Sequence, residues 1–241
     1  MPLGDMTGLG ERWRKVYPAY RKLVSVYERM NLAMTWGNVD KWRRQLAALV
    51  PDDAEKILDA GCGPGNMTRH LLRPGRYVVG LDYSIEMLKA LKYDIDKVQG
   101  VFESLPFRDG YFDVAVLAYA LHAARDLERA LDELTRVAGA VAAVSMGAPD
   151  NPIVRGLFKL YVAVFVPFLA LLLAPSHLRE YTALSDILSV APPNRVFKSI
   201  LSRWMRLESF TTRGFGAIYI FYGTSRRFRR HRFTGGDGSY V

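Results

Sequence analysis

Cysteine is nearly absent from this chain. Cys62 is the only one among 241 residues, so neither an intramolecular disulfide nor a cysteine-cluster zinc site can form. Histidine is also sparse. His70, His122, His177 and His231 stand far apart without an HExxH spacing, so no metal is expected. Asparagine and glutamine together number seven, and arginine outnumbers lysine; scarce thermolabile amides suggest a thermophilic source. The N-terminal stretch MPLGDMTGLGERWRK has no apolar h-region, so no signal peptide is expected and cytoplasmic residence follows. No regular basic-aromatic stripe of the kind that stacks bases is present, and no nucleic-acid partner is expected. Charge is absent from one long run, LYVAVFVPFLALLLA, between Leu160 and Ala174.

What is present suits one compact α/β domain. Half the residues are hydrophobic and 24% are charged. The formal net charge of +9 favours anionic partners such as acidic lipid headgroups, or serves solubility alone. Trp13, Val16, Tyr17, Tyr20, Leu23, Val24 and Tyr27 recur at helical steps, and Trp42, Leu46 and Leu49 continue the pattern. After Pro51-Asp52-Asp53 the texture changes to strands alternating with helices. Strands are expected at 56–60, 77–81, 98–101, 113–118 and 141–145, with helices at 66–72, 84–91 and 127–137. Such alternation indicates a parallel sheet covered on both faces, with ligands bound beyond the carboxyl ends of its strands. Two further strands, 204–210 and 216–222, are expected to form an antiparallel hairpin around Thr211–Gly214.

The most informative segment is Leu58-Asp59-Ala60-Gly61-Cys62-Gly63-Pro64-Gly65. Glycines between a strand and a helix let the backbone turn tightly and approach a ligand. The full GxGxxG spacing is missing, because position 66 is Asn. Asp82 ends the next strand, where a carboxylate can accept hydrogen bonds from ribose hydroxyls. Loop and acid together point to a nucleoside ligand.

LDAGCGPG, GLDYS and LPFRDGYFDVAV, in that order, resemble three motifs of class I S-adenosylmethionine-dependent methyltransferases. Outside the sheet, Tyr27–Asn31, Met34–Gly37 and Trp42–Arg44 resemble the N-terminal signature of the menaquinone/ubiquinone C-methyltransferase family. The resemblance spans roughly residues 16–224. It implies a Rossmann-like, seven-stranded, mostly parallel sheet with an antiparallel C-terminal hairpin and helical lid segments. The organisation expected is one domain over 1–225: a helical cap at 11–50, a cofactor-binding core at 54–147, an apolar lid at 150–195 and the hairpin at 200–224. A basic flexible tail follows at 226–241.

The resemblance implies S-adenosylmethionine as cofactor, with Gly61 and Gly63 at its amino-acid end, Asp82 at its ribose and Thr68 at a family cofactor position. Tyr27, Asp59, Cys62, Tyr83, Met87, Val101, Phe102 and Ala118 complete the expected cofactor set. The sequence also departs from the family. Leu32 replaces its usual Asp, and Val101-Phe102 replaces its Asn-Ala or Asp-Ala pair. Ala118-Tyr119-Ala120-Leu121-His122-Ala123 replaces its Ser-Phe-Gly-Leu-Arg-Asn, and its Lys-Pro-Gly-Gly turn is shortened to Ala138-Gly139. These changes alter the expected acceptor surroundings. His122 and Tyr119 are the candidate catalytic residues, His122 as a base assisting deprotonation of a ring acceptor. Tyr27 and Trp36 are candidate aromatic walls, since an electron-rich ring favours a sulfonium.

The expected acceptor is hydrophobic, either a lipid quinone precursor or another apolar small molecule. A non-catalytic nucleoside-binding protein is the alternative from a different class. The uncharged run, interrupted by Pro167, reads as two short helices over the crevice or partly in a membrane interface, although core helices fit the pattern too. The run Arg226–Arg232 could serve peripheral membrane contact or be a solvated tail.

Overall fold

The computed structural model describes residues 9–10, 26–178 and 191–228. The helix reading of 13–24, Tyr181, and most of the basic run after Phe228 lie outside the described residues.

Seven strands form one sheet in the order β3-β2-β1-β4-β5-β7-β6. They are β1 (Lys56–Ala60), β2 (Tyr77–Asp82), β3 (Asp96–Gln99), β4 (Phe112–Ala118), β5 (Ala138–Met146), β6 (Met205–Arg213) and β7 (Ile218–Ser225). Strands β1 to β5 pair in parallel, while β7 is antiparallel to both β5 and β6. The strand order reverses between β1 and β4, which opens a crevice at their carboxyl ends. The sheet is thus Rossmann-like with an antiparallel C-terminal hairpin, as expected.

The helices are α1 (Tyr27–Met34), α2 (Val39–Ala47), α3 (Thr68–Leu71), α4 (Ile85–Ala90), α5 (Leu127–Val137), α6 (Pro152–Leu160), α7 (Val166–Leu173) and α8 (Asn194–Trp204). Successive strand residues point to opposite faces, and helices cover both. Leu58, Val79, Ala115, Leu117 and Val141 enter a core with Leu131 and Leu134 of α5 and Phe197 of α8. Their neighbours Ile57, Val78, Val114, Val116 and Ala140 enter a second core with Trp42 and Leu46 of α2. Burial on both faces explains why these strands read as continuous apolar runs.

Three local expectations are corrected. The third strand lies at Asp96–Gln99 rather than 98–101. It is an edge strand with mostly exposed side chains, so burial leaves no apolar signature on it. Ala138-Gly139 is not a turn: α5 ends at Val137 and β5 begins at Ala138. Pro167 does not split the apolar run. Residues 152–173 form one continuous helix, with a π turn at Tyr161–Phe165 between α6 and α7. Proline lacks an N–H and crowds the carbonyl four residues earlier. The wider π turn immediately before it absorbs that mismatch without ending the helix.

Candidate active site

A cleft, open on one side, lies beyond the carboxyl ends of β1, β2 and β4. Its wall includes Gly61, Cys62 and Gly63 after β1, Asp82, Tyr83 and Met87 after β2, and Val101 and Phe102 after β3. Ala118, Tyr119 and Ala120 follow β4, and Tyr27 of α1 and Arg43 of α2 close the other side.

The glycine loop is shaped by its neighbours. Gly61 has φ +74°, and a Cβ there would fall 2.4 Å from the Ala120 Cβ. Gly63 has φ +55° with open space where a Cβ would point, so its backbone is bare toward the cavity. Asp82 ties two loops together. Its Oδ2 accepts the Gly63 N–H at 2.9 Å and its Oδ1 accepts the Ser84 N–H at 2.8 Å. Ser84 in turn caps α4, its Oγ accepting the Met87 N–H at 3.3 Å. Burial pushes the Asp82 carboxyl up, opposed by the N–H groups of Ser84, Gly63 and Tyr83. Each carboxylate oxygen has more than one acceptor position, so both can still receive a hydroxyl.

Asp59 and Thr68 do not line the cavity. They are buried beneath the loop, where Thr68 Oγ1 donates to Asp59 Oδ2 at 2.6 Å. Burial raises the Asp59 carboxyl to about 7, against the Thr68 hydrogen bond and reinforced by Asp82. Cys62 is a buried wall residue whose thiol is pushed far up by burial.

Tyr119 and His122 separate in space. Tyr119 lines the cavity with φ +58°, a strained conformation for a tyrosine. Its hydroxyl is buried without a hydrogen-bond partner, and burial raises its pKa. His122 is absent from the wall, although Ala120 and Ala123 on either side of it are present. Its Nδ1 is hydrogen-bonded to Ser145 Oγ at 2.7 Å, and Ser145 also bonds Tyr219. Burial lowers the His122 pKa to about 4, so the ring is neutral at pH 7. Trp36 is also away from the cavity, stacked on Phe165 at 5.6 Å and largely exposed.

Arg43 was legible only as part of the Trp42–Arg44 signature, with no role attached. The structure places it at 2% exposure on the cavity wall. Its guanidinium makes a bidentate pair with Glu28 at 2.6 and 3.0 Å, and Asn66 Nδ2 donates to the same carboxylate at 2.8 Å. Burial disfavours the Arg43 charge, but its hydrogen bonds to Glu28, the Glu28 charge and the nearby Tyr27 and Tyr119 together outweigh this, so its pKa rises. The guanidinium carbon lies 5.6 Å above the Tyr119 ring, and Nε has no partner. Arg43 is the one cation among the described wall residues. The residues present therefore fit a ligand with a nucleoside, a carboxylate and an apolar extension.

Fold and site together define an S-adenosylmethionine-dependent methyltransferase. The sequence profile of the ubiE/COQ5 methyltransferase family matches residues 6–224, and the chain belongs to that family. The demethylmenaquinone methyltransferase of Lactococcus lactis subsp. lactis (strain IL1403) is 30% identical over 237 residues, covering 91% of this chain and 92% of that protein. The demethylmenaquinone methyltransferase of Roseiflexus castenholzii (strain DSM 13941 / HLO8) is 30% identical over 220 residues, covering 86% and 92%. Among solved structures, the plantazolicin methyltransferase BpumL in complex with SAH has a similar fold, with a TM-score of 0.59 at 13% identity and coverage of 90% and 98%. A possible histamine N-methyltransferase from Thermotoga maritima gives 0.58 at 16% identity, covering 87% and 99%. The cofactor is S-adenosylmethionine.

Proposed function

We propose that this methyltransferase methylates a ring carbon of a lipid quinone precursor resembling demethylmenaquinone. The observation that carries this reading is the sharing of α1 between two sites. Its Tyr27 lines the cofactor cavity, while Met30 and Met34 pack with Val166 and Ala170 of the long apolar helix. An acceptor with a polar ring and a hydrocarbon tail suits that adjacency, and the full-length relatives carry a demethylmenaquinone name.

When bound, the cofactor supplies a methyl group on an activated sulfonium. That methyl would pass from sulfur to a nucleophilic ring carbon of the acceptor, which would then give up its proton to a base. The protein aligns the reactants and excludes water. In our assignment Asp82 receives the ribose hydroxyls. Tyr83, Met87, Val101 and Phe102 hold the adenine, and Ala118 forms the floor. The backbone of Gly61, Cys62 and Gly63 meets the amino-acid end, whose carboxylate is met by Arg43. Tyr27 walls the sulfonium side. Asp59 and Thr68 support the loop from below. Tyr119 directs its hydroxyl to the acceptor. His122 is assigned as base only through movement or a bridging water, since its ring is off the cavity wall and bonded to Ser145.

A second reading, methylation of another hydrophobic small molecule at O, N or C, is favoured by the Tyr119–Ala123 departure and the unpartnered Tyr119 hydroxyl. The test is incubation with methyl-labelled cofactor and demethylmenaquinone kept reduced to its quinol by a chemical reductant, so that the ring is nucleophilic, followed by mass spectrometry. One label on the headgroup, stable to acid and base, supports ring C-methylation. A labile label, or labelling of a different component in a lipid extract, supports the second reading. In this reading the enzyme works in the cytoplasm with access to membrane lipid.

A further inference from the structure

The helix over 152–173 has one side that nothing covers. Its inner side packs on α1 through Val166 and Ala170, Tyr161 Oη donates to Met34 O at 3.0 Å, and Arg29 donates to Leu173 O. The outer side carries Ile153, Leu157, Leu160, Val164, Phe168 and Leu171, joined by Leu172. All seven are more than half exposed. Steps of three and four residues keep them on one side of the helix. The helix has 22 residues, a mean hydropathy of 2.2 in its most apolar window, and only 17% of that window buried. At 1.5 Å per residue the stripe runs about 30 Å. A contiguous apolar strip of this length on a folded domain marks an interaction surface.

Two aromatic side chains extend the strip. Phe215, at 93% exposure, sits at the β6–β7 turn with φ +56°. It shares a recess with Asp150 and Asn151, which places the turn beside the first turn of α6. Trp36, at 73% exposure, stacks on Phe165 in the middle of the helix. The charges around the strip are mostly basic, with Asp150 beside the first turn of α6 as the acidic exception. The only ionic residues within 152–173 are Arg155 and Lys159, and Arg195 and Arg213 stand near the hairpin end.

We propose that this face docks the enzyme on the surface of an anionic lipid bilayer, the helix lying in the interface with Phe215 and Trp36 as anchors. An apolar face, aromatic anchors and a cationic border are what such an interface selects. The inner side is already packed on α1, so the helix lies along the surface and does not thread the bilayer. A second copy of the chain is disfavoured as occupant, because two basic borders would meet across the contact and a projecting Phe215 needs a recess on the partner. The basic tail is rooted elsewhere. β7 pairs Ile218 with Met146 and Thr224 with Ala140, so Arg226 starts at the opposite end of the sheet from α6. Docking is therefore expected without the tail.

The test is flotation of full-length protein with vesicles of phosphatidylcholine and phosphatidylglycerol, in parallel with calorimetric SAH binding. The proposal expects wild-type protein to float, and Leu157→Gln/Leu160→Gln/Val164→Gln to lose binding by at least about tenfold. Phe215→Ser should weaken binding, and a chain ending at Phe228 should float as wild type. Every variant should retain SAH affinity, which shows that it folds and separates this test from that of the reaction. If the triple variant floats as wild type, or wild type fails to float, the proposal is overturned. Loss of flotation on tail removal alone would assign the membrane contact to the tail instead. A wild-type dimer that the triple variant converts to monomer, without lipid binding, would make the face a self-association surface.

Discussion

At the residue scale, Arg43 shows what pattern cannot supply. Trp42-Arg43-Arg44 is visible in the sequence, but nothing there says which arginine turns inward. Burial decides it: Arg43 is 2% exposed and paired with Glu28, whereas Arg44 reaches outward to Asp40. In the proposed assignment, Arg43→Gln removes the positive partner for the cofactor carboxylate. Its SAH affinity should fall about tenfold or more, the scale of a charge-assisted hydrogen bond lost from a buried site. Methylthioadenosine, which lacks the amino-acid end, should bind wild type and variant alike. Equal losses for both ligands in titration calorimetry would reduce Arg43 to a structural role.

His122 carries a pH signature. Its folded pKa of about 4 lies below the ordinary 6.5, so the unfolded chain binds more protons between those values. Stability from this group is present above about pH 6.5 and is lost as pH falls toward 4. The upper bound is roughly 3 kcal/mol, from about 1.4 kcal/mol per unit. In urea melts across that window, His122→Gln should flatten the slope. If the base assignment is right, the same variant also loses turnover by about a hundredfold or more with SAH affinity unchanged. Unchanged turnover would reduce His122 to a structural role. The neighbouring site residues were legible because strand ends, glycines and an acid recur at fixed places. The inward faces of Asp59 and Thr68 were not, because a side chain's direction across a loop is set by packing.

At the element scale, the strands that were legible are those buried on both faces. β1, β2 and β4 announce themselves as apolar runs, while the edge strand β3 has no such mark. The apolar helix was legible in composition but not in continuity, since a π turn has no sequence sign beyond the proline it accommodates. The β1–α3 loop offers a sharper element-level test. Gly61→Ala places a methyl group 2.4 Å from Ala120 in a left-handed backbone. Strain and overpacking together should cost about 2–4 kcal/mol. The loop must shift, and SAH binding should disappear in calorimetry even at temperatures where circular dichroism shows a folded sheet. Retention of wild-type affinity would mean that the loop is softer than its contacts indicate.

At the scale of the whole molecule, the cofactor site is built from both cores at once. Asp82 and the Gly61–Gly63 loop extend from β2 and β1, which contribute Val79 and Leu58 to one core and Val78 and Ile57 to the other. A ligand joining these loops therefore stabilises the fold as a unit rather than one segment. Binding to the folded state alone contributes about 2.7 kcal/mol at a hundredfold excess over Kd. For a chain of this size, each kcal/mol raises Tm by about 2–4 °C. SAH at that concentration should shift the melt by about 5–10 °C in one cooperative transition. Asp82→Ala should abolish the shift, because its carboxylate fixes Gly63 through its N–H and, in the proposed assignment, receives the ribose. A shift of the same size in that variant would mean that the nucleoside is held elsewhere. A split melt with only one phase moved by SAH would mean that the cofactor stabilises one part of the sheet without the other.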